Sequence, residues 1–304
     1  MINFVTKFTR FSLTDMEHHE QELNEYRPML FSIAYNMLGT ISDAEDMVQE
    51  TFISWLKADK SHVENMKFYL IRTISNKCIT HLKKIKQQRE TYAGTWLPEP
   101  LLSESETDDN PETEDNLSIG FMYLLEKLTP IERGIIILKE AFNIDYPEIA
   151  KIFDISYENC RQHFSRARKK LALEKAKFEV DKSEHEHILR EFLNACISKN
   201  LEGLIELLRE DVVVYADSGG VAKFIVNPVS GKEKVVRLLI GGMDKLTYVR
   251  MEFLSINGLQ GAAFYQDKSR PGVLIAIDTD ENKKIRNVYL MANPQKIKFH
   301  HEER

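Results

Sequence analysis

A chain of 304 residues, 43% hydrophobic and 29% charged, is long enough for two or three domains with their own cores, and its bulk composition is ordinary for a globular protein. Cys78, Cys160 and Cys196 are scattered without a C-x-x-C pair, which excludes a disulfide framework or cysteine zinc site and suits a reducing compartment. No apolar run approaches the roughly 20 residues of a membrane span, and the first residues lack the apolar core of a secretion signal, so the expected location is the cytoplasm, with no membrane partner.

Residues 17 to 95 read as helices. Apolar residues recur at helical spacing at Met29, Leu30, Ile33, Ala34 and Met37, and Gly39 supplies a stop. Ser42-Asp43-Ala44-Glu45 has the form of a capping box and opens a helix with Met47, Val48, Phe52, Trp55 and Leu56 on one side. After the polar loop from Lys57 to Asn65, a helix begins near Met66 and runs basic to Lys86, with Phe68, Leu70, Ile71, Ile74, Cys78, Ile79 and Leu82 as its apolar stripe. Between Thr91 and Asp115 the periodicity stops, prolines enter and acids dominate, which marks a linker. Within it Trp96-Leu97-Pro98-Glu99-Pro100-Leu101 is apolar, and such a segment needs a recess to receive it.

Helices return near Leu117. Thr129-Pro130-Ile131-Glu132 is a capping box with proline at its favoured position, and Asp145-Tyr146-Pro147-Glu148 has the same form. The second opens a short helix ending near Phe153; Asp154-Ile155-Ser156 then turns the chain, and Ser156 caps a helix from Tyr157 to about Lys175. After Ser183 two helical patterns, at His187 to Lys199 and Leu201 to Leu208, precede five strand-like runs: VVVYA, YVRMEFLSING, AAFYQ, GVLIAID and KIRNVYLMA. Gly258, Pro271-Gly272 and Asp280-Glu281-Asn282 punctuate them, the rhythm of an antiparallel meander in an α+β domain.

The net charge of −6 conceals sorting along the chain. The segment from Lys67 to Arg89 holds seven Lys or Arg and no acid, and Arg161 to Lys177 is nearly as basic, whereas Glu99 to Asp115 holds eight acids and no Lys or Arg. Two basic elements joined by an acidic connector fit two contacts with a polyanion. The segment from Asp145 to Lys170 reads as a helix-turn-helix, with Ile149, Ala150, Phe153, Ile155, Cys160, Phe164 and Leu171 as its small core. Glu158, Asn159, Arg161, Gln162, Ser165 and Arg166 then face outward, where Asn, Gln and Arg match base edges, and Arg168, Lys169 and Lys170 suit phosphate. In the earlier basic helix Phe68 and Tyr69, with Tyr92 beyond it, lie among cations, a pattern able to stack bases of an opened strand.

YRPMLFSIAYNMLGTISDAEDMVQETFISW resembles region two of the extracytoplasmic-function sigma factors of bacterial RNA polymerase, and LTPIERGIIILKEAFNIDYPEIAKIFDISYENCRQHFSRARKKL resembles their region four. WLPEPL and the trailing α+β segment resemble the subgroup that carries a fused SnoaL-like cone. The resemblance implies four segments: a region-two bundle at 17–95, an acidic linker at 96–116, a region-four helix-turn-helix at 117–178 and a SnoaL-like domain at 183–300. It implies that Asp43, Glu45, Asp46, Gln49 and Glu50 dock on the clamp of core RNA polymerase. Lys67, Phe68, Tyr69, Arg72, Asn76 and Lys77 would capture the minus-ten element of promoter DNA, and the helix carrying Glu158 to Lys169 would read the minus-35 element. Asp217-Ser218-Gly219-Gly220-Val221-Ala222-Lys223 and Asn293-Pro294-Gln295-Lys296-Ile297 resemble the subgroup's regulatory signatures, with an insertion before Lys223 and one glycine fewer. Trp96, Leu97 and Pro98 are expected against Asp217, Gly219, Gly220, Asn293 and Pro294, an intramolecular partner in place of a separate anti-sigma protein. No cofactor, metal or catalytic residue is expected. The cone could instead sense a small-molecule ligand for a duplex-binding regulator, or act as an enzyme, but Asp217 has no histidine partner in the cone's core.

Overall fold

The protein, described here from a computed structural model, is defined over residues 13–103, 116–171, 181–220, 227–267 and 271–297. The acidic run 104–115, Lys175, Lys177, and Val221 to Lys223 lie outside the described residues.

Helices α1 (Leu13–Leu38), α2 (Ile41–Lys57) and α3 (Met66–Glu90) form the first unit, with a 3-10 turn at Lys60–His62 in the polar loop. Helices α4 (Ile119–Leu125), α5 (Pro130–Glu140), α6 (Tyr146–Phe153) and α7 (Tyr157–Lys170) form the second. Gly39 ends α1 with a φ of 73°, a left-handed value that glycine adopts without strain. The capping box at Thr129 and Glu132 is present, and Ser156 accepts from the Asn159 amide at 3.1 Å. Two other caps differ from expectation. Helix α2 starts two residues early, at Ile41; its N-cap is Thr40 rather than Ser42, the Thr40 hydroxyl donates to Asp43, and the Ile41 amide is satisfied by the Glu99 carboxylate at 2.9 Å. Asp145 makes no side-chain cap; its carboxylate faces Lys139 at 3.3 Å instead.

The two helical units share one continuous apolar cluster: Leu30, Ile33 and Met37 of α1, Leu70, Ile74 and Cys78 of α3, and Ile135, Ile136, Ile149 and Phe153 of α5 and α6 belong to it. Leu56 departs from its expected place on the buried side of α2: it is 60% exposed, and Ile53 one turn earlier is 49% exposed.

The C-terminal unit packs α8 (Lys182–Ile197), α9 (Leu201–Leu207) and α10 (Lys232–Lys245) on a seven-stranded sheet. The strands are β1 (Leu102–Ser103), β2 (Leu208–Asp217), β3 (Val229–Ser230), β4 (Arg250–Ile256), β5 (Leu259–Tyr265), β6 (Pro271–Thr279) and β7 (Ile285–Met291), in the order β1-β4-β5-β6-β7-β2-β3. The α+β class is as expected, but the topology is not a pure meander. β4 to β7 run antiparallel, whereas β7 pairs parallel with β2, a crossover that returns the chain's first long strand beside its last. Helix α10 is also additional; Val235, Val236 and Leu239 bury it against the sheet. Strand β1 comes from the linker, pairing Leu102 and Ser103 with Ile256 and Ser255 of β4.

Period-two alternation gives the sheet two apolar faces. Ala262, Phe264, Ile275, Ile277 and Val288 meet α8, α9 and α10, while Ala263, Tyr265, Leu274, Tyr289 and Met291 meet Leu97 of the linker and Ile119 of α4. One face is covered by the domain itself; the other is covered by the rest of the chain. Among the described residues no helix is long and apolar enough to cross a membrane.

Candidate nucleic-acid and polymerase interface

The recognition face of α7 is open. Ile149, Phe153, Cys160, Ala167 and Leu171 are buried beneath it, which leaves Glu158, Asn159, Arg161, Gln162, Ser165, Arg166, Arg168 and Lys169 exposed. Tyr157, Arg161, Phe164 and Arg168 recur on one stripe; the Arg161 guanidinium lies 5.7 Å from the Tyr157 ring centre and that of Arg168 lies 5.8 Å from Phe164. Cations stacked on rings in this way are partly ordered before they meet a ligand. Lys170 turns back to the Glu132 carboxylate at 2.7 Å and so belongs to the fold more than to the open face.

Helix α3 presents a different picture. Lys67 and Arg72 are exposed, but Phe68 and Tyr69 are half-buried against the helical core, and Tyr69 meets Trp55 edge-on at 5.2 Å. Lys77 pairs with Glu50 at 2.8 Å, and the Asn76 amide donates to the Ile152 carbonyl of α6 at 2.8 Å. The expected minus-ten residues therefore divide between a free edge and a set engaged by other parts of the chain. Tyr92, expected to stack with them, faces the C-terminal domain instead: its hydroxyl donates to Asp217 at 2.6 Å. Burial, then the Asp217 carboxylate, pushes its pKa well above the ordinary phenol value.

On α2, Asp46, Gln49 and Glu50 are exposed beside Ile53 and Leu56, so acids border an apolar strip one side chain wide. Asp43 and Glu45 are partly engaged, Asp43 with Thr40 and His81 and Glu45 with Arg27 through both oxygens at 2.6 and 2.7 Å.

The linker segment is tied to both the C-terminal domain and the first helical unit. Leu97 is wholly buried; its amide donates to Asp217 at 3.0 Å and its carbonyl accepts from Lys296 at 2.5 Å. Asp217 also receives Lys296 at 2.7 Å and the Gly219 amide at 3.0 Å. Burial lowers the Lys296 pKa, with Asp217 acting in the opposite direction. Asn293 donates to the Tyr92 hydroxyl at 2.9 Å, and a β-carbon on Gly219 would lie 2.7 Å from the Asn293 side chain, so glycine is what lets the two signatures touch. Pro98 lies against Gly39, but Gly220 approaches Ala93 rather than Trp96, and Pro294 is exposed. Trp96 is half-buried, with Arg89 at 4.0 Å and Lys296 at 4.3 Å from its ring centre.

The other end of the segment holds the first helical unit. The Glu99 amide donates to the Gly39 carbonyl at 2.8 Å, and Tyr35, fully buried in α1, donates to the Glu99 carbonyl at 2.5 Å. Asn257 at the β4–β5 turn bonds Leu101 in both directions and donates to Tyr35 at 2.9 Å and to the Leu117 carbonyl at 3.2 Å. One side chain of the sheet domain thus ties α1, the linker and the entry to α4. Arg89 and Arg133 share the Glu126 carboxylate at 2.6 and 2.7 Å. Burial pushes the Glu126 pKa up, but the two guanidiniums outweigh it and hold the carboxyl below its ordinary value.

Residues 23–89 match Sigma-70 region 2, and residues 120–171 match Sigma-70, region 4. The chain is similar to the probable ECF RNA polymerase sigma factor SigI of Mycobacterium tuberculosis, at 30% identity over 196 residues, 64% of this chain and 68% of that protein. It is also similar to the ECF RNA polymerase sigma factor SigJ of M. tuberculosis, at 29% identity over 91% of this chain and 92% of the relative. The chain belongs to the extracytoplasmic-function sigma factors. The crystal structure of M. tuberculosis SigJ superposes with a TM-score of 0.73 at 29% identity, covering 91% of this chain and 97% of that one, so the likeness extends through the C-terminal domain. This sigma factor directs transcription initiation at promoters, and sigma factors as a class bind core RNA polymerase and promoter DNA rather than catalyse a reaction.

Asp217 lies beside both Leu97 and Asn293, and Tyr92, Asn257, Tyr35 and Arg89, which the sequence did not point to, complete the junction of this sigma factor. Asn257-Gly258 carries a readable signal, since that dipeptide favours a tight hairpin turn, and both residues have positive φ, 53° and 77°. What the turn does not announce is a side chain aimed at another domain.

Proposed function

We propose that this arrangement is the closed state of the sigma factor, kept silent by its own C-terminal domain until core polymerase and promoter DNA draw the two sigma regions apart. In the open state Asp46 and Gln49, with Ile53 and Leu56, dock on polymerase. Lys67, Phe68, Tyr69, Arg72, Asn76 and Lys77 serve the minus-ten element, and Glu158, Asn159, Arg161, Gln162, Ser165, Arg166, Arg168 and Lys169 the minus-35 element, in the cytoplasm.

A single observation carries the reading: α6 is packed against both α3 and α7. Packed helices lie about 8–10 Å apart, so the axes of α3 and α7 are separated by about 20 Å at most. Promoter elements at positions 10 and 35 lie about 25 base pairs apart, roughly 85 Å along the duplex. Both helices cannot meet their elements while α6 joins them. The linker and cone supply the closure, through Leu97 to Asp217 and Lys296, and through Asn257 to Tyr35 and Leu117.

In vitro transcription with core polymerase tests this directly. Trp96→Ala with Leu97→Ala removes a buried leucine, worth about 2–5 kcal/mol, and the stacked indole. Promoter output from the variant should exceed that of the unaltered chain. Equal or lower output, with the variant folded, would sink the proposal, and promoter binding that needs no core enzyme would point to an ordinary duplex-binding regulator.

A further inference from the structure

We infer that the junction of α3, the linker and α4–α5 holds a binding site for a small phosphate-bearing metabolite, whose occupation reinforces the closed state. A cavity of about 760 Å³ opens there, a volume that suits a ligand of nucleotide size. Its walls come from parts of the chain that separate on opening: Lys86 and Arg89 of α3, Tyr92 of the linker, and Tyr123, Lys127 and Arg133 of region four, closed at one edge by Asn227 and Pro228 of the C-terminal domain. Leu82, Leu128 and the tyrosines give it an apolar side for the organic remainder of the molecule.

Charge selects the class of ligand. The lining holds four cations, Lys86, Arg89, Lys127 and Arg133, against two acids, Glu90 and Glu126. Glu126 is claimed twice, by Arg89 and Arg133, and Glu90 faces Lys86 at 3.6 Å, so two positive charges are left over. Lys127 is exposed and has no ion pair among the described residues. Arg133 is only 4% exposed and its Nε has no hydrogen-bond partner. Burying two guanidiniums on one carboxylate leaves an uncompensated charge in a poorly solvated place, and an anion at the cavity supplies the missing counter-charge. Two surplus positive charges are balanced by a phosphate of charge near −2, whose oxygens accept charge-assisted hydrogen bonds from Lys and Arg.

A ligand gripping walls that part on opening binds the closed form alone. At a concentration of 100 Kd it favours that form by roughly 100-fold. The effect on transcription rests on the closed reading above, whereas the binding does not.

The test titrates the full chain with inorganic phosphate, pyrophosphate and a nucleoside triphosphate by calorimetry, and follows closure by energy transfer between labels at Lys84 and Lys169. Saturable binding of an organic phosphate below about 1 mM is expected, weakened about tenfold or more in Lys86→Gln with Lys127→Gln, together with a rise in the closed fraction. Both lysines are exposed, so the variant should fold, which its thermal melt verifies. No saturable binding by any probe, or binding unaltered in the double variant, would overturn the site. Binding without a rise in closure would overturn its coupling to the closed state. If the Trp96 and Leu97 variant leaves transcription unchanged while the titration succeeds, the closed reading fails and the site stands.

Discussion

The two basic helices differ in what the fold lets them do. Helix α7 keeps its polar face in solvent, its cations supported by Tyr157 and Phe164, and near its C-terminal end Lys170 pairs with Glu132 while Arg168 approaches Glu140 at 4.0 Å. Helix α3 is half-committed: Asn76 is bonded to α6, Lys77 to α2, and Arg89 at its end is locked to Glu126, Trp96 and the Leu38 carbonyl. Duplex recognition needs a preformed surface, and α7 has one. Under the proposed function, capture of an opened strand needs partial release, since Asn76 and Lys77 are occupied by protein while Lys67 and Arg72 are exposed. If the closed state proposed above holds, this contrast puts its control on α3 and the linker rather than on the helix-turn-helix.

The largest effect on that contrast should come from Asp217→Ala. The carboxylate is buried and receives Lys296, Tyr92 and the amides of Leu97 and Gly219, and its loss strands a buried ammonium. Breaking such a pair costs about 3–5 kcal/mol, enough to turn a closed population into an open one. Energy transfer between α3 and α7 should collapse, and proteolysis should cut near Leu97, while duplex binding by α7 is unaltered. Retention of full energy transfer would mean that the linker is not what closes the molecule.

Gly39→Ala should come next. Its φ of 73° strains any side chain, and an added β-carbon would lie 2.6 Å from Trp96 Cη2. Strain and displacement together cost about 2–3 kcal/mol and push the indole off Arg89. Red-shifted tryptophan emission with partial opening is expected; an unchanged spectrum would remove Trp96 from the account.

These two sites also show how far the sequence could be read. Local patterns spoke plainly for α1 to α7, because apolar stripes, the glycine stop and the caps at Thr129 and Ser156 each act within a few residues, and the basic face of α7 follows from which of its positions are apolar. The sheet was legible as strands but not as an order, because the parallel return of β2 beside β7 depends on contacts some 75 residues apart. Leu56 read as core because it lies one position from Trp55, yet the helix turns 100° between them and leaves it in solvent. WLPEPL announced a recess through its composition, but nothing local told that Glu99 would cap α2 or that β1 would extend the sheet. The shared carboxylate of Arg89 and Arg133 was likewise invisible, since Arg89, Glu126 and Arg133 come from α3, the end of α4 and α5, and no local pattern joins them.

The smallest effect, and the sharpest on the comparison, belongs to Asn76→Ala. It removes one amide-to-carbonyl bond between α3 and α6, worth about 0.5–1.5 kcal/mol, and leaves the apolar packing intact. Closure should loosen only about threefold to tenfold. Gln162→Ala, on the open face of α7, should leave closure untouched and weaken only minus-35 discrimination, by about 1–3 kcal/mol. On a template already opened at the minus-ten element, Asn76→Ala should lose affinity if the freed amide meets DNA, against a gain in closed-form release measured without DNA. Opposite signs in those two measurements would show one side chain serving both the closed protein and the opened promoter. The same sign in both would confine Asn76 to the closed state and leave Lys67 and Arg72 as the DNA-facing edge of α3.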